Sequence, residues 1–168
     1  WTAEASQIES ELFRVSPRLK KNPSENEWFA AAEDFRVNED WASAKAIYEN
    51  LFQSPHFSTL EKFKALNGLR EIEKAKFRLY QGELAPFLAA SKRTSRYAEA
   101  TLRSATGLNF DDRRILYEGW LQYARDEWSY GDVALTFGEL NLVLAFNGLE
   151  LPFHAHALWT LARVYANT

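Results

Sequence analysis

A ladder of aromatic and small residues near the start of the chain constrains its fold more than any other feature. The ladder consists of Trp28, Ala32, Phe35, Ala44, Tyr48 and Pro55. Spacings of three and four place such residues on one face of a helix, and small residues let two helix backbones approach closely. The ladder therefore predicts two antiparallel helices, at about 25 to 37 and 41 to 53, that pack against each other.

Helical periodicity continues along the rest of the chain, between start and stop signals such as Ser58 with Glu61 and Asn109. We expect helices at about 3 to 15, 59 to 80 and 133 to 146. A shorter helix should begin at Pro86, and its helical pattern continues to Gly107. A further helix should extend for about five turns after Asn109, and the last should begin at about 153. The stretch 133 to 146 is apolar on nearly all sides, which is typical of a helix buried between neighbours. No useful stretch alternates with period two, so the predicted fold class is all-α with about eight or nine helices.

Composition and charge exclude several classes of function. A net charge of −3 at pH 7 provides no field that would attract nucleic acid, and the basic groups at 18 to 21 and 92 to 96 lack interleaved aromatics, so we expect solvated surface there and no nucleic-acid partner. No apolar run approaches the roughly 20 residues that span a bilayer, so no membrane insertion is expected. The absence of cysteine excludes thiolate sites and leaves cytoplasm and periplasm open, with the periplasm slightly favoured. Because methionine is absent and Trp1 comes first, we expect one helical domain taken from a longer protein.

The ladder resembles a tetratricopeptide repeat, whose pattern is W-x2-L-G-x2-Y, A-x3-F and P within about 34 residues. This chain has Trp28-x2-Ala31-Ala32-x2-Phe35, Ala44-x3-Tyr48 and Pro55. A degenerate repeat at 117 to 148 carries Trp120-x2-Tyr123-Ala124 and Thr136-x3-Leu140. In this repeat Glu127 stands where the family has an aromatic residue. Residues 153 to 168 resemble half a repeat. The resemblance implies an α-solenoid of antiparallel helix pairs with irregular repeats, the best of which covers 24 to 56.

In tetratricopeptide proteins the first helix of each repeat lines a concave groove, so the resemblance implies a scaffold that binds a protein segment or a neighbouring domain. On this chain that face holds the candidate partner-binding residues Asn26, Glu33, Arg36, Arg125, Trp128 and Arg163. Trp and Arg are the side chains most often decisive at interfaces. Phe29, Leu121 and Trp159 share this face, and we expect them to belong to the core. An uncapped helical array also exposes apolar surface, so a homo-oligomer is an alternative.

The segment from Ala44 to Ala65 is also similar to the helical superhelix of soluble lytic transglycosylases. The similar stretches are Tyr-Glu-Asn-Leu, Ser-Pro and Leu-Glu-Lys-Phe-Lys-Ala-Leu. That family's catalytic signature, a Glu-Ser pair followed by Gly-Leu-Met-Gln, is absent from the sequence. The resemblance therefore implies an accessory region that helps to position peptidoglycan, with the catalytic residues elsewhere.

The polar residues of the chain favour a non-catalytic function. His154 and His156 are two positions apart, which on a helix turns their imidazoles about 200° from each other, so we expect no shared metal site. Asp126 and Glu127 are interpreted as a solvated face. No phosphate-binding loop or nucleophile motif is present in the sequence. We therefore expect a non-enzyme without cofactor or metal.

Overall fold

The computed structural model describes residues 24–146 and 150–167. Within these ranges the chain forms seven α-helices and no β-strand, which confirms the all-α prediction. The helices are α1 (Glu25–Val37), α2 (Trp41–Gln53), α3 (Thr59–Arg78), α4 (Leu84–Ser104), α5 (Phe110–Tyr130), α6 (Val133–Leu144) and α7 (Leu151–Ala166). The predicted total of eight or nine includes a helix at 3 to 15, which lies outside the described residues.

The chain divides into two compact units, one ending at Ala75 and the other beginning at Lys76. The division falls within α3, so residues 76–78 of this helix belong to the second unit. In the part of the chain that the structure describes, no helix has both the length and the apolar character that a membrane span requires. Helices α1 and α2 lie wholly in the first unit, and α4 to α7 lie wholly in the second.

Polar side chains fix the starts of α1 and α2 in the first unit. At the start of α1, the Glu27 carboxylate accepts a hydrogen bond from the backbone N–H of Ser24 at 2.6 Å. At the start of α2, the Asp40 carboxylate accepts from the backbone N–H of Ser43 at 3.2 Å. Such side chains satisfy N–H groups that have no partner inside the helix. Both helices have the bounds that the sequence predicts.

Helices α1 and α2 pack on each other as a hairpin. Residues 38–40 form the whole connection, which is short enough to require antiparallel neighbours. Ala32 and Ala44 are completely buried in the core of the pair, and the Tyr48 ring belongs to the same core. Phe35 is partly buried against it. The ladder thus forms the contact that its spacing predicts, with alanines where the backbones approach.

Helix α3 begins at a complete capping box. The Ser58 N–H donates to the Glu61 carboxylate at 2.6 Å, and the Glu61 N–H donates to the Ser58 hydroxyl at 3.3 Å. The helix ends at Arg78, two residues before the predicted end, because Tyr80 takes up the left-handed backbone conformation at a φ of 58°. The start was predictable from a local motif, whereas this end was not.

Helix α3 completes the core of the first unit. It contributes Ala65 and Ile72 to the buried cluster of α1 and α2. Between them, Gly68 lies directly beneath the Tyr48 ring: a Cβ built on Gly68 would overlap this ring and would lie 2.7 Å from its Cδ1. A glycine in a helix interior costs about 1 kcal/mol relative to alanine. Here the missing side chain makes room for an aromatic ring.

In the second unit, α4 packs on α5, α5 on α6 and α6 on α7, and α5 also contacts α7. Where the sequence predicts a shorter helix at Pro86 and a continuing pattern to Gly107, the structure has the single helix α4. Pro86 lies in its first turn, where no backbone N–H is needed for the helical ladder. Asn109 begins α5 as predicted, since its side chain accepts from the Asp112 N–H at 2.8 Å.

Three aromatic rings connect the end of α3 to α4 and α5. The Phe77 ring lies 6.2 Å from the Phe87 ring and 5.5 Å from the Tyr130 ring, between centroids. The Phe87 and Tyr130 rings lie 5.9 Å apart, edge to face. Phe87 is completely buried. Residues 76–78 of α3 therefore contribute to the packing of the second unit.

Asp126 and Glu127 are buried, which corrects their interpretation as a solvated face. The two oxygens of Asp126 accept hydrogen bonds from Ser91 of α4 at 2.5 Å and from Gln122 at 3.0 Å. The Glu127 carboxylate accepts from the backbone N–H of Asp132 at 3.0 Å. Burying a carboxylate costs free energy because the group loses its hydrogen bonds to water, and donors of this kind replace those hydrogen bonds.

Helix α6 is buried on one side only, which corrects the prediction of a helix buried all round. Its inward residues are Thr136, Glu139, Leu140 and Val143. Leu135 and Leu142, seven positions apart, lie beside this buried face and are 48% and 43% exposed. Gly138 lies between them, and a Cβ there would meet nothing within 4 Å. The apolar sequence of α6 thus supplies an exposed face as well as a core face.

One of the predicted basic groups is paired with acidic side chains. Arg96 of α4 forms ion pairs with Glu99 at 2.8 Å and with Glu139 of α6 at 2.5 Å. Burial raises the pKa of Glu139, and the neighbouring Arg96 charge only partly opposes this. The Oε2 atom of Glu139 is buried and has no hydrogen-bond partner among the described residues. Arg96 is thus partly exposed and paired with two carboxylates, and the group at 18 to 21 lies outside the described residues.

Candidate interaction surface on helices α5 and α7

Helices α5 and α7 run parallel along a common seam. Their side-chain contacts advance in the same direction on both helices, from Tyr117 with Phe153, through Arg125 with His156, to Trp128 with Arg163. The Tyr117 ring is completely buried and lies 4.7 Å from the Phe153 ring. Its hydroxyl donates to the backbone carbonyl of Phe153, and burial raises the pKa of Tyr117. This buried contact fixes the register between the two helices.

Three polar side chains form a closed set of contacts farther along the seam. The Glu118 carboxylate lies 2.9 Å from Nη1 of Arg125 and 3.0 Å from Nδ1 of His156. The Nη2 atom of Arg125 lies 3.0 Å from Nε2 of His156. The guanidinium of Arg125 and the carboxylate of Glu118 thus face the two ring nitrogens of His156. Both nitrogens are engaged by polar neighbours on the seam.

Arg163 lies between two indole rings at the end of the seam. Its Cζ atom is 4.8 Å from the ring centroid of Trp159 and 5.6 Å from that of Trp128, within the range of cation–π attraction. Trp159 is 56% exposed. Among the described residues, no hydrogen bond or ion pair reaches the Arg163 guanidinium. Both rings therefore contact a guanidinium whose N–H groups make no hydrogen bond within the described part of the chain.

These side chains together are called the α5–α7 surface, which consists of Glu118, Arg125, Trp128, His156, Trp159 and Arg163. It brings together three of the six predicted partner-binding residues, namely Arg125, Trp128 and Arg163. Leu121 is completely buried, as expected for a core residue. Trp159 was expected in the core too, and its exposure corrects that expectation. The reason is its position on the outer side of α7, above the Arg163 guanidinium.

Sequence reasoning missed Glu118 and His156 as members of this surface. Glu118 lies seven positions before Arg125, and His156 lies three before Trp159, so helical spacing already places each on the right face of its own helix. Which two helices share the seam, and in what register, depends on contacts between residues far apart in the chain. The sequence thus indicated which residues share a face of one helix, but it did not indicate that α5 and α7 lie next to each other.

The other three predicted partner-binding residues lie on α1 in the first unit. Asn26 is exposed in the first turn. Glu33 and Arg36 bind each other, with Nε of Arg36 donating to Oε2 of Glu33 at 2.8 Å, and the Tyr48 hydroxyl lies 3.4 Å from the same oxygen. The bond from Arg36 lowers the pKa of Glu33, and burial raises that of Tyr48 to about 12. This pair is satisfied within its own hairpin.

The described residues include no group of three or more His, Asp or Glu side chains that could hold a metal ion. His156 is engaged by Glu118 and Arg125 on the seam. His154, in the first turn of α7, donates its backbone N–H to the carbonyl of Glu150 at 3.0 Å. The α5–α7 surface thus consists of charged side chains and aromatic rings.

Comparisons of the chain with protein-family models, with curated proteins and with solved structures found no match.

Proposed function

We propose that this chain is a non-catalytic helical scaffold, an irregular tetratricopeptide-like solenoid, that binds a protein segment through the α5–α7 surface. The observation that carries the proposal is the exposed Trp159 ring in cation–π contact with Arg163, which is also in cation–π contact with Trp128. Trp and Arg are the residues that most often dominate binding energy at interfaces. An exposed pair of this kind is typical of a binding surface.

The rigidity of the surface supports the same proposal. Both indole rings are held by the guanidinium of Arg163, and Arg125 is held by Glu118 and His156. A side chain that is already fixed before binding loses little conformational entropy when a partner arrives. The α5–α7 surface is thus preorganised for contact, since its large side chains are positioned by the protein itself.

Packing in the second unit supports the solenoid part of the proposal. Helices α5, α6 and α7 pack in chain order, and α5 lies parallel to α7. In a solenoid of helical pairs, the first helices of successive pairs are neighbours and run parallel. Helices α5 and α7 would be two such first helices, and their shared seam would be one wall of the groove.

The test is selection of peptides from a random peptide display library on the intact chain. We expect clones whose binding is lost in the variant Trp159→Ala and kept in the control variant Tyr80→Ala. Tyr80 is an aromatic residue in the loop after α3 and is exposed almost completely, so it tests loss of an exposed ring elsewhere. Far-ultraviolet circular dichroism establishes that both variants keep their helices.

Two results would contradict the proposal. One is a selection that yields no clone above background. The other is a set of clones that bind Trp159→Ala and Arg163→Ala as well as they bind the unaltered chain, which would place the binding elsewhere.

Self-association is a second candidate function, favoured by the outer face of α7. Apolar residues recur on this face at spacings of four and three, and all are exposed: Leu151, Ala155, Leu158, Ala162 and Tyr165. A continuous apolar stripe of this kind is typical of a surface that another helix covers. Sedimentation velocity over a range of concentrations tests it: association that Leu158→Glu abolishes supports the candidate, and a strict monomer throughout contradicts it.

The cell-wall function implied by the transglycosylase resemblance stays a prediction. It is tested by co-sedimentation of the chain with insoluble peptidoglycan. Pelleting that Trp159→Ala prevents would support a glycan as the occupant of the α5–α7 surface. A chain that stays in the supernatant would contradict this function.

A further inference from the structure

We infer that the segment bound by the α5–α7 surface is acidic, and that an Asp or Glu side chain of this segment binds the guanidinium of Arg163. The inference rests on the proposed function, since it names the chemistry of the partner. The observations that lead to it are the cation–π contacts of Arg163, the state of Arg125, and the balance of charge on the surface.

Arg163 is held in a position that suits a carboxylate. Its Cζ atom lies 4.8 Å from the ring centroid of Trp159 and 5.6 Å from that of Trp128. A guanidinium has five N–H donors around its edge, and they match the two oxygens of a carboxylate. In the described part of the chain no carboxylate or carbonyl oxygen bonds to these donors. The edge of Arg163 is therefore ready to bind an anion.

Arg125, on the same seam, differs from Arg163 because polar side chains contact its guanidinium. Its Nη1 lies 2.9 Å from Glu118 and its Nη2 lies 3.0 Å from His156. The negative charge of Glu118 is thus paired with the positive charge of Arg125. The charges of Glu118 and Arg125 cancel, and Arg163 adds a further positive charge to the surface. Complementary charge in a partner fixes register and excludes wrong partners.

The surroundings of Arg163 favour a peptide carboxylate as the source of the anion. Trp159, which is 56% exposed, lies beside the guanidinium and offers a large apolar face. A segment in which acidic and apolar side chains alternate would place a carboxylate on Arg163 and an apolar group on Trp159. Since aromatic rings also weaken hydration around the guanidinium, the charge-assisted hydrogen bond gains strength there.

The experiment uses a short fluorescent peptide of alternating Glu and Leu, acetylated and amidated so that no terminal charge contributes. Its two counterparts carry Gln or Lys in place of every Glu. We expect the intact chain to bind the Glu peptide about tenfold more tightly than the Gln peptide and not to bind the Lys peptide. We also expect this preference to weaken with added salt.

Variants identify the residue that reads the charge. Arg163→Gln should lower the affinity for the Glu peptide to that for the Gln peptide, and Arg163→Lys should retain part of the difference. The matched control is Arg114→Gln, because Arg114 is an exposed arginine of α5 that lies outside the α5–α7 surface. It should leave all affinities unchanged.

The outcomes separate this inference from the proposed function. Equal affinities for the Glu and Gln peptides, with both lost in Trp159→Ala, would overturn the inference and leave the binding surface in place. A Glu preference that Arg163→Gln does not change would overturn it also. No binding by these peptides, together with no clone from the random library, would remove the proposed function itself.

Discussion

Gly68 is a residue whose importance depends entirely on one neighbour. Alanine at an open helix position stabilises a protein relative to glycine by up to about 1 kcal/mol. At position 68 the added methyl group would instead overlap the buried Tyr48 ring. We expect Gly68→Ala to lower the free energy of unfolding by about 1 to 3 kcal/mol, measured by denaturant titration.

The control for this prediction is Gly138→Ala. Gly138 also lies inside a helix, but a Cβ there meets nothing within 4 Å, so this variant should be neutral or stabilised. If Gly68→Ala were as stable as Gly138→Ala, the close contact between Tyr48 and α3 would be wrong.

The buried carboxylate of Glu139 should make stability depend on pH. Burial raises its pKa in the folded chain above the ordinary value of 4.5, so the protonated form is favoured by folding. The stabilisation that comes from burying the protonated Glu139 side chain is complete below pH 4.5, and it is lost as the pH rises through the raised pKa. Glu139→Gln removes this titration. The stability of this variant relative to the unaltered chain should therefore increase from acidic towards neutral pH.

Denaturant titrations at a series of pH values measure this difference. Glu99→Gln is the matched control, because it removes the other carboxylate bound to Arg96 and leaves Glu139 in place. A relative stability of Glu139→Gln that does not change with pH would show that Glu139 is not sensitive to its burial.

At the scale of elements, the starts of helices were predictable and the partners of their faces were not. Ser58 with Glu61, and Asn109, form their predicted capping bonds because donor and acceptor lie within four residues of each other. The burial of Asp126 depends on Ser91, which lies on another helix. No local pattern contains that information. For the same reason the sequence indicated an exposed acidic pair where the structure has a buried one.

Helix α6 depends on a cap that the sequence analysis did not use. The Asp132 carboxylate accepts from the backbone N–H groups of Ala134 at 2.7 Å and of Leu135 at 3.4 Å. Asp132→Ala should cost about 1 kcal/mol of stability, and Asp132→Asn should cost much less because its amide oxygen still accepts. Thermal unfolding of the two variants compares them. Equal losses in both would mean that charge, and not the cap, is what matters at this position.

The candidate surface was predictable to the extent that it lies within single helices. Arg125 and Trp128 are three residues apart on α5, and the sequence alone placed them on one face. The contact of Arg163 with Trp128 joins residues from two helices. It required knowledge of the α5–α7 seam, which the buried pair of Tyr117 and Phe153 establishes.

At the scale of the whole molecule, the division into two units passes through α3. Phe77, near the end of this helix, packs with Phe87 and Tyr130 in the second unit. Phe77→Ala should lower the stability of the second unit by about 2 to 3 kcal/mol, since it removes a ring from a largely buried contact. Hydrogen exchange measures this unit by unit: amides of α4 and α5 should exchange faster.

The core of α1 and α2 supplies the internal reference for this experiment. Its buried cluster extends no farther along the chain than Ile72 and does not include Phe77. Amide exchange in these two helices should therefore be unaffected. Faster exchange there as well would show that the two units unfold together.

The exposure of Trp159 gives the molecule an optical property. Indole fluorescence shifts to shorter wavelength when the ring moves from water into a protein contact. Trp159 is 56% exposed, whereas Trp120, on the neighbouring helix, is already buried. A ligand that covers Trp159 should therefore shift the fluorescence of this ring to shorter wavelength, while the fluorescence of the buried Trp120 should not change. The surface can report its own occupancy, without any attached label.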